Sequence, residues 1–116
     1  MLAKRHRLCL ARDFSRCYAR GRRAADALLS IALLPRGSGP SRLGVSVSRK
    51  VGESVARNRV KRWIREAARD LVADEENPFD LVVTARPKAR QAGFFSIRES
   101  LSSLLGRVRR GGAAGK

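Results

Sequence analysis

The amino-acid sequence predicts a single α+β domain with three helices and a small sheet. Apolar residues recur at the three- and four-residue spacing of amphipathic helices in three separate segments. Between these segments lie apolar or alternating runs that are typical of strands. The chain has 116 residues, of which 43% are apolar, which suffices for one compact core and is too short for two ordinary domains.

The first predicted helix covers residues 11–20. Phe14, Cys17 and Tyr18 follow one another at the spacing of a single helix face. Gly21 suits the C′ position, where a helix commonly ends on a glycine. We therefore expect this short helix to pack on the sheet through its aromatic face.

Two strands follow, separated by a turn rich in proline and glycine. The first strand is the apolar run 27–34, the turn is 35–40, and the second strand is the alternating segment 42–48. A turn between two such segments predicts that they pair antiparallel. The core side of the second strand carries Leu43, Val45 and Val47, and its other side carries the small residues Gly44, Ser46 and Ser48.

The strongest helical pattern covers residues 53–72. Its apolar residues fall within a narrow arc at 3.6 residues per turn. They are Ala56, Val60, Trp63, Ile64, Ala67 and Leu71.

The last two predicted elements are a strand and a helix. The strand covers 79–86 and ends at Pro87, and the S-x-x-E pattern of Ser96 and Glu99 is a capping box that predicts the start of the helix. We expect 11–110 to form the folded core between a basic arm at 1–10 and a disordered tail at 111–116. The helix predicted to begin at this pattern has an apolar face made of Ile97, Leu101, Leu104, Leu105 and Val108.

The charge of the chain indicates a polyanionic partner. Lys and Arg number 26 against 10 Asp and Glu, which gives a net charge of +16, and 21 of the 26 cations are Arg. So large a charge on a small domain repels itself until a polyanion neutralises it. Arg also binds phosphate oxygens bidentately and stacks on bases, so we expect nucleic acid to be the partner.

Other classes of protein are excluded by simple patterns. No apolar run approaches the roughly 20 residues that span a bilayer, and no long apolar segment follows the basic N-terminus as it would in a secretory signal. Cys9 and Cys17 are the only cysteines, and we expect both to be reduced. Since His6 is the single histidine, a histidine-based zinc site is excluded. The simplest compartment is the cytoplasm.

The solvent side of the long helix is the densest candidate for binding. Glu66 is the only acid among residues 57–66, whereas a solvated helix usually alternates acids with bases. Like charges at this spacing cost stability unless a phosphate backbone offsets them. For Asn58, structural and functional roles remain equally open. The candidate RNA-binding residues are Arg57, Asn58, Arg59, Lys61, Arg62 and Arg65.

A second candidate surface lies beside the alternating strand. Its small side chains would let an extended strand of nucleic acid approach the backbone closely, and Phe14 and Tyr18 would then touch the bases. The alternative is that both rings only anchor the first helix to the sheet. Arg49 and Lys50, directly after the strand, would contact phosphates. The complete candidate cleft is Phe14, Tyr18, Ser46, Ser48, Arg49 and Lys50.

Catalysis by the chain alone is not expected. The one acidic cluster, residues 74–76, lies in a turn between two elements, away from any other candidate ligand. One histidine supplies no acid–base pair, and no base accompanies Ser46 or Ser48. We therefore predict no catalytic residue and no metal bound by the protein.

Four motifs of the sequence together resemble those of the protein component of bacterial ribonuclease P. They are R-D-F-x-x-x-Y-x-x-G (Arg12–Gly21), G-V-S-V-S-R-K (Gly44–Lys50), R-N-R-x-K-R-x-x-R (Arg57–Arg65) and D-L-V-V-x-A-R-P (Asp80–Pro87). The resemblance covers nearly the whole chain in the order of that family. One of these motifs would be weak by itself, whereas four in register are a specific signature.

The resemblance implies an α/β sandwich of order α-β-β-β-α-β-α, with about four strands, an extra short strand near 22–26 and a left-handed crossover where right-handed ones are the rule. It implies the subunit of an endonuclease that removes the 5′ leader from precursor tRNA, with the catalytic centre and Mg²⁺ held by the RNA subunit. The implied partners are that RNA and the precursor tRNA, with no membrane and no obligatory protein partner. The basic helix would contact the RNA subunit or lie beside the leader, which the cleft would receive.

One departure concerns position 32. Many members of the family carry an aromatic residue there, in the cleft, where this chain has Ala32. A leader base would then have no stacking partner at that point, and the preference for leader sequence would differ.

Two other functions compete with this interpretation. A structural ribosomal protein or a general RNA chaperone would also be small and basic, but it would not discriminate tRNA leaders. A DNA-binding domain would use the long helix for recognition, but no second helix precedes it across a tight turn, as a helix-turn-helix requires.

Overall fold

The computed structural model describes residues 6–8, 10–72 and 77–109. Residues 1–5, Cys9, the acidic run 74–76 and the predicted tail 111–116 lie outside the described residues. The elements are α1 (Ala11–Arg20), β1 (Arg22–Ala25), β2 (Leu29–Pro35), β3 (Arg42–Val47), α2 (Ser54–Val72), β4 (Phe79–Ala85), a 3₁₀ turn (Pro87–Gln91) and α3 (Phe94–Arg109). The α-β-β-β-α-β-α order is as expected.

The four strands form one mixed sheet in the order β1-β2-β4-β3. Strand β2 pairs antiparallel with both β1 and β4, and β3 pairs parallel with β4. The predicted antiparallel pair between β2 and β3 is therefore wrong, because β4 lies between them. The continuous apolar run of β4 explains its central place, since Leu81, Val82 and Val83 are fully buried and fill both faces of the sheet.

Helices α2 and α3 cover one face of this sheet and form the main core. Ile31 and Leu33 of β2 lie in register with Val83 and Leu81 of β4 and point into this core. The apolar stripe of α3 packs against it as predicted, with Ile97, Leu101, Leu104, Leu105 and Val108 all buried.

Helix α1 covers part of the opposite face. It forms a smaller cluster in which Cys17 and Leu8 pack on Ala32 of β2 and Val82 of β4. The helix has the predicted bounds, but Gly21 does not adopt a left-handed conformation, since its φ is −76°. A Cβ at Gly21 would lie 2.8 Å from the carbonyl oxygen of Leu33, so close packing on β2 requires glycine here.

Residues 6–8 lie against the sheet, in the segment that the sequence assigned to a basic arm. The N–H of Leu8 donates to the carbonyl of Leu43 over 2.9 Å, and Nδ1 of His6 donates to the carbonyl of Ser41 over 2.7 Å. Both His6 and Leu8 are buried. This part of the N-terminal segment therefore extends the sheet along the free edge of β3.

The start of α3 also differs from the prediction. The helix begins at Phe94, after Gly93 with a φ of +84°, so Ser96 lies inside the first turn and does not cap it. Ser100 instead binds a distant carboxylate, since its Oγ donates to Oδ2 of Asp26 over 2.6 Å. Burial disfavours the charged form of Asp26, but hydrogen bonds from Ser100 and from the N–H groups of Leu29 and Leu28 outweigh it and lower the pKa of this carboxyl.

Candidate nucleic-acid interface

A row of hydroxyl groups crosses the sheet on the face that α1 only partly covers. Ser30 of β2, Thr84 of β4 and Ser46 of β3 are neighbours in register, and all three are half-buried. The adjacent row, Ala32, Val82 and Gly44, is buried beneath α1. The floor of the candidate cleft is therefore polar beyond the helix and apolar beneath it.

The ring of Phe14 packs on this floor. A Cβ at Gly44 would lie 2.6 Å from Cζ of Phe14 and 3.2 Å from Cδ2 of Leu8, so the ring needs a glycine beneath it. Phe14 is half-buried and belongs to the apolar cluster under α1. The ring therefore anchors the helix and also borders the candidate cleft, and its contact with bases stays a prediction.

Tyr18 lies beside the same floor, one turn farther along α1. Its hydroxyl forms a hydrogen bond with Oγ1 of Thr84, and its ring is half-buried in the cluster under α1. The bond fixes the ring at the border between the apolar row and the hydroxyl row. The sequence alone does not single out Thr84 or Ser30, because only the register of the strands shows that they join Ser46.

Exposed cations lie at the end of the cleft where β3 finishes. Ser48, Arg49 and Lys50 form an exposed turn in which the N–H of Lys50 donates to Oγ of Ser48 over 3.3 Å. This turn leads from the cleft floor into α2. It therefore joins the two surfaces that the sequence identified separately.

Ion pairs hold the other end of the cleft, where β3 begins. Nε and Nη2 of Arg42 donate to the two carboxylate oxygens of Asp80 over 2.9 and 2.8 Å, and Asp80 is 1% exposed. Nη1 of Arg42 also lies 3.5 Å from Oδ2 of Asp13 on α1. These contacts tie α1, β3 and β4 together. The available sequence signal was that Asp13 and Asp80 each stand next to a phenylalanine in a chain with few acids.

Cys17 is part of this framework and is not a nucleophile. Its Sγ lies 3.2 Å from the carbonyl oxygen of Ala32 and 3.5 Å from that of Asp80, and the side chain is fully buried. Burial, followed by the charge of Asp80, raises the pKa of this thiol to about 11. The thiol stays protonated near neutral pH, as expected for a structural cysteine.

The basic helix α2 exposes the side opposite to its core face. Val60 and Ile64 are fully buried, and Trp63 packs at the edge of the core. Arg57 and Lys61 are half-buried, and Nη2 of Arg57 donates to Oγ of Ser54 over 3.2 Å. The other four predicted binding residues, Asn58, Arg59, Arg62 and Arg65, are exposed.

The described part of the chain holds neither a cluster of metal ligands nor a helix suited to a membrane. Within residues 6–8, 10–72 and 77–109, no three His, Cys, Asp or Glu side chains come together as metal ligands. Among the helices described here, none is both long and apolar enough to cross a membrane. The cleft and the exposed side of α2 present cations, hydroxyls and rings as the groups that can contact a ligand.

Comparison with known proteins identifies one family throughout. The family model for ribonuclease P matches residues 2–109. The ribonuclease P protein component of Caldanaerobacter subterraneus is 37% identical over 105 residues, which are 90% of each chain. The solved RNase P protein of Staphylococcus aureus superposes with a TM-score of 0.81 and 31% identity over 91% of this chain and 97% of that one. For the RNase P protein of Thermotoga maritima the TM-score is 0.75 and the identity 36%, over 89% of this chain and 97% of the other.

Proposed function

The chain belongs to the ribonuclease P protein family, and from that premise we propose how its two basic surfaces divide the binding of RNA. It is a protein component of the bacterial type, a subunit of the endoribonuclease that matures the 5′ ends of tRNA. Its partners are the ribonuclease P RNA and the tRNA substrate. This membership leaves the alternatives of a ribosomal protein and an RNA chaperone without support, and α2 follows a strand, which does not fit a helix-turn-helix.

The cleft under α1 receives the single-stranded 5′ leader. The observation that carries this proposal is the half-buried hydroxyl row beside Tyr18, which leads directly to the exposed cations Arg49 and Lys50. An extended strand can lie on such a floor with its bases toward the ring and hydroxyls and its phosphates toward the cations. Ser46 and Ser48 line the path on β3, and Phe14 forms its wall.

Position 32 takes no part in stacking. Ala32 is fully buried between Cys17 and the neighbouring strand β4, so a leader base cannot reach it. Ring contacts to the leader are therefore limited to Tyr18 and the open edge of Phe14. We expect base preference to depend on these two rings and on the hydroxyl row.

The exposed side of α2 binds the RNA subunit. Arg59, Arg62 and Arg65 are exposed, and Glu66, the only acid among residues 57–66, pairs with Arg69 at 3.4 Å. Arg57, Asn58 and Lys61 flank them. Phosphates of the RNA would relieve the repulsion between these cations, and release of counterions would favour the complex.

The Mg²⁺ ions of the assembly are not assigned to the described part of this chain. The described residues lack a cluster of acids or histidines, so they do not fit Mg²⁺. We propose that the RNA subunit and the substrate hold the Mg²⁺ ions of the holoenzyme. The protein lowers the Mg²⁺ requirement by neutralising phosphates, and it acts in the cytoplasm, where precursor tRNA is made.

Leader binding is tested with the assembled holoenzyme on precursor tRNA and on mature tRNA. We expect Arg49→Ala and Lys50→Ala to weaken binding of the precursor several-fold and to leave binding of mature tRNA unchanged, because only the precursor carries the leader. Arg20→Ala, which removes an exposed cation from the far end of α1, is the matched control. Equal losses on both substrates would contradict contact between this turn and the leader.

A further inference from the structure

A groove between α2 and α3 lies on the face of the sheet opposite the leader cleft. It has a volume of about 660 Å³ and is open to solvent. Ala67, Leu101 and Leu105 form its apolar lining, and three cations, Arg69, Arg98 and Arg109, surround it. Neither the cleft nor the six predicted residues of α2 extend into this groove.

Two adjacent phenylalanines lie at one end of the groove, and the second of them is exposed. Phe94 lines the groove, and its ring meets that of Phe95 edge to face, with centroids 5.4 Å apart and planes at 68°. Phe95 is 72% exposed, whereas Phe14, Tyr18, Trp63, Phe79 and Phe94 are all buried or half-buried. The guanidinium of Arg98 lies 6.0 Å from the Phe95 centroid.

The charge around the rings favours an anionic partner. Among the residues that line the groove, Glu66 is the acid, and it faces Arg69 in an exposed pair at 3.4 Å. Arg98 and Arg109 are exposed on α3. An open ring bordered by Arg is the arrangement with which proteins bind an unpaired nucleotide, since the ring stacks on the base and the cations contact the phosphates.

The position of the groove indicates which RNA reaches it. Arg62, Arg65 and Arg69 follow one another at the three- and four-residue spacing of a single face of α2. The surface proposed for the RNA subunit therefore continues along α2 into the groove. The leader, in contrast, lies on the other side of the sheet.

We propose that this groove is a second docking site for the ribonuclease P RNA subunit, an inference that rests on the proposed function. An unpaired base of that RNA stacks on Phe95, and the flanking phosphates contact Arg98 and Arg69. The site adds an aromatic anchor to an interface otherwise made of cations.

The test measures the affinity of protein variants for the isolated RNA subunit. Phe95→Ala and Phe95→Leu each remove the ring, and we expect both to weaken binding about tenfold, as loss of one stacked base does. Phe95→Trp keeps a stacking surface and is expected to bind like the wild type. Leu10→Ala truncates another exposed apolar side chain, at the start of α1, and is expected to bind normally. Because Phe95 is mostly exposed, thermal melts of all variants should agree.

Each other outcome overturns a defined part of the proposal. Unchanged affinity in both Phe95→Ala and Phe95→Leu removes the groove from the interface, and normal binding by Phe95→Leu alone excludes stacking. Loss of affinity of the assembled holoenzyme for precursor tRNA, with normal affinity for the RNA subunit, assigns the groove to the substrate. Self-association of the wild type that Phe95→Ala abolishes, with RNA affinity intact, assigns it to a second copy. Failure of the wild type to bind the RNA subunit would contradict the proposed function itself.

Discussion

The ring of Phe14 on α1 rests directly on the backbone of Gly44 in β3, so closely that a Cβ at position 44 would lie 2.6 Å from Cζ of the ring. The contact sets how near the helix stands to the sheet. The wall of the proposed leader cleft is thus positioned by the absence of one side chain.

Gly44→Ala is therefore expected to push α1 away from the sheet. The free energy of unfolding should fall by about 1–3 kcal/mol, the usual cost of overpacking a well-filled site, and the affinity of the holoenzyme for precursor tRNA should fall with it. Urea denaturation followed by circular dichroism measures the first effect. Gly37→Ala is the control, because nothing lies within 4 Å of a Cβ at Gly37. Equal urea midpoints for the two variants would show that Phe14 does not depend on Gly44.

The bidentate pair between Arg42 and Asp80 is expected to dominate the stability of the end of the cleft at which β3 begins. Asp80→Ala leaves a partly buried guanidinium without its main partner, and removal of one member of a buried pair typically costs about 3–5 kcal/mol. The exposed pair of Glu53 and Arg90, at 3.2 Å, offers the comparison. Glu53→Ala should cost less than about 1 kcal/mol in the same denaturation experiment. A similar small loss for both would mean that the Asp80 pair adds little.

The buried thiol of Cys17 makes stability depend on pH in the alkaline range. Its pKa is about 11 in the folded protein against an ordinary value of 9.0, so the unfolded chain loses this proton first. The contribution of the thiol is complete below pH 9 and is lost as the pH rises toward 11. We expect the stability difference between the wild type and Cys17→Ala to shrink between pH 8 and pH 10.5 in urea titrations. A difference that stays constant over this range would contradict the raised pKa.

The cations of α2 should determine how strongly salt weakens binding to the RNA subunit. Each phosphate contact contributes roughly 0.7–0.9 to the slope of log K against log salt. Arg62→Ala and Arg65→Ala are each expected to lower the magnitude of that slope by about 1. Filter binding between about 50 and about 300 mM salt measures this slope. The Arg20→Ala control should keep the wild-type slope, and variants that lose affinity with an unchanged slope would exclude phosphate contacts.

Local patterns predicted most elements of this fold correctly. The bounds of α1 follow from the spacing of Phe14, Cys17 and Tyr18, and α2 begins and ends within one residue of the predicted range 53–72. Strand β1 was expected only from the family resemblance, because its sequence, Arg-Arg-Ala-Ala, carries no alternation. The left-handed sense of the β3-α2-β4 crossover stays a prediction.

Strand pairing is where the local patterns were insufficient. The turn after β2 suggested that β2 and β3 pair, yet β4, which is more than 30 residues farther along, lies between them. Pairing is decided by burial over the whole sheet, and β4 has the apolar residues that fill both faces. The uninterrupted run Leu81–Val83 was the available indication.

The residues of the candidate site also fall into those that local patterns predict and those that depend on strand pairing. Residues that carry a motif, such as Ser46 and Lys50, could be named from the sequence. Partners that depend on register could not, since Thr84 lies beside Ser46 and Asp80 meets Arg42 only because β3 and β4 align as they do. The exposed Phe95 was overlooked, although adjacent phenylalanines followed by Arg98 are conspicuous in a chain with so few aromatic residues.

We conclude that the protein assists an RNA catalyst and does not cut RNA itself. The direct measurement is cleavage of a precursor tRNA by a closely related bacterial ribonuclease P RNA at low Mg²⁺, with and without the protein. We predict strong stimulation, a correct mature 5′ end, and no cleavage by the protein alone. Absence of stimulation, or cleavage by the protein without the RNA, would contradict the claim.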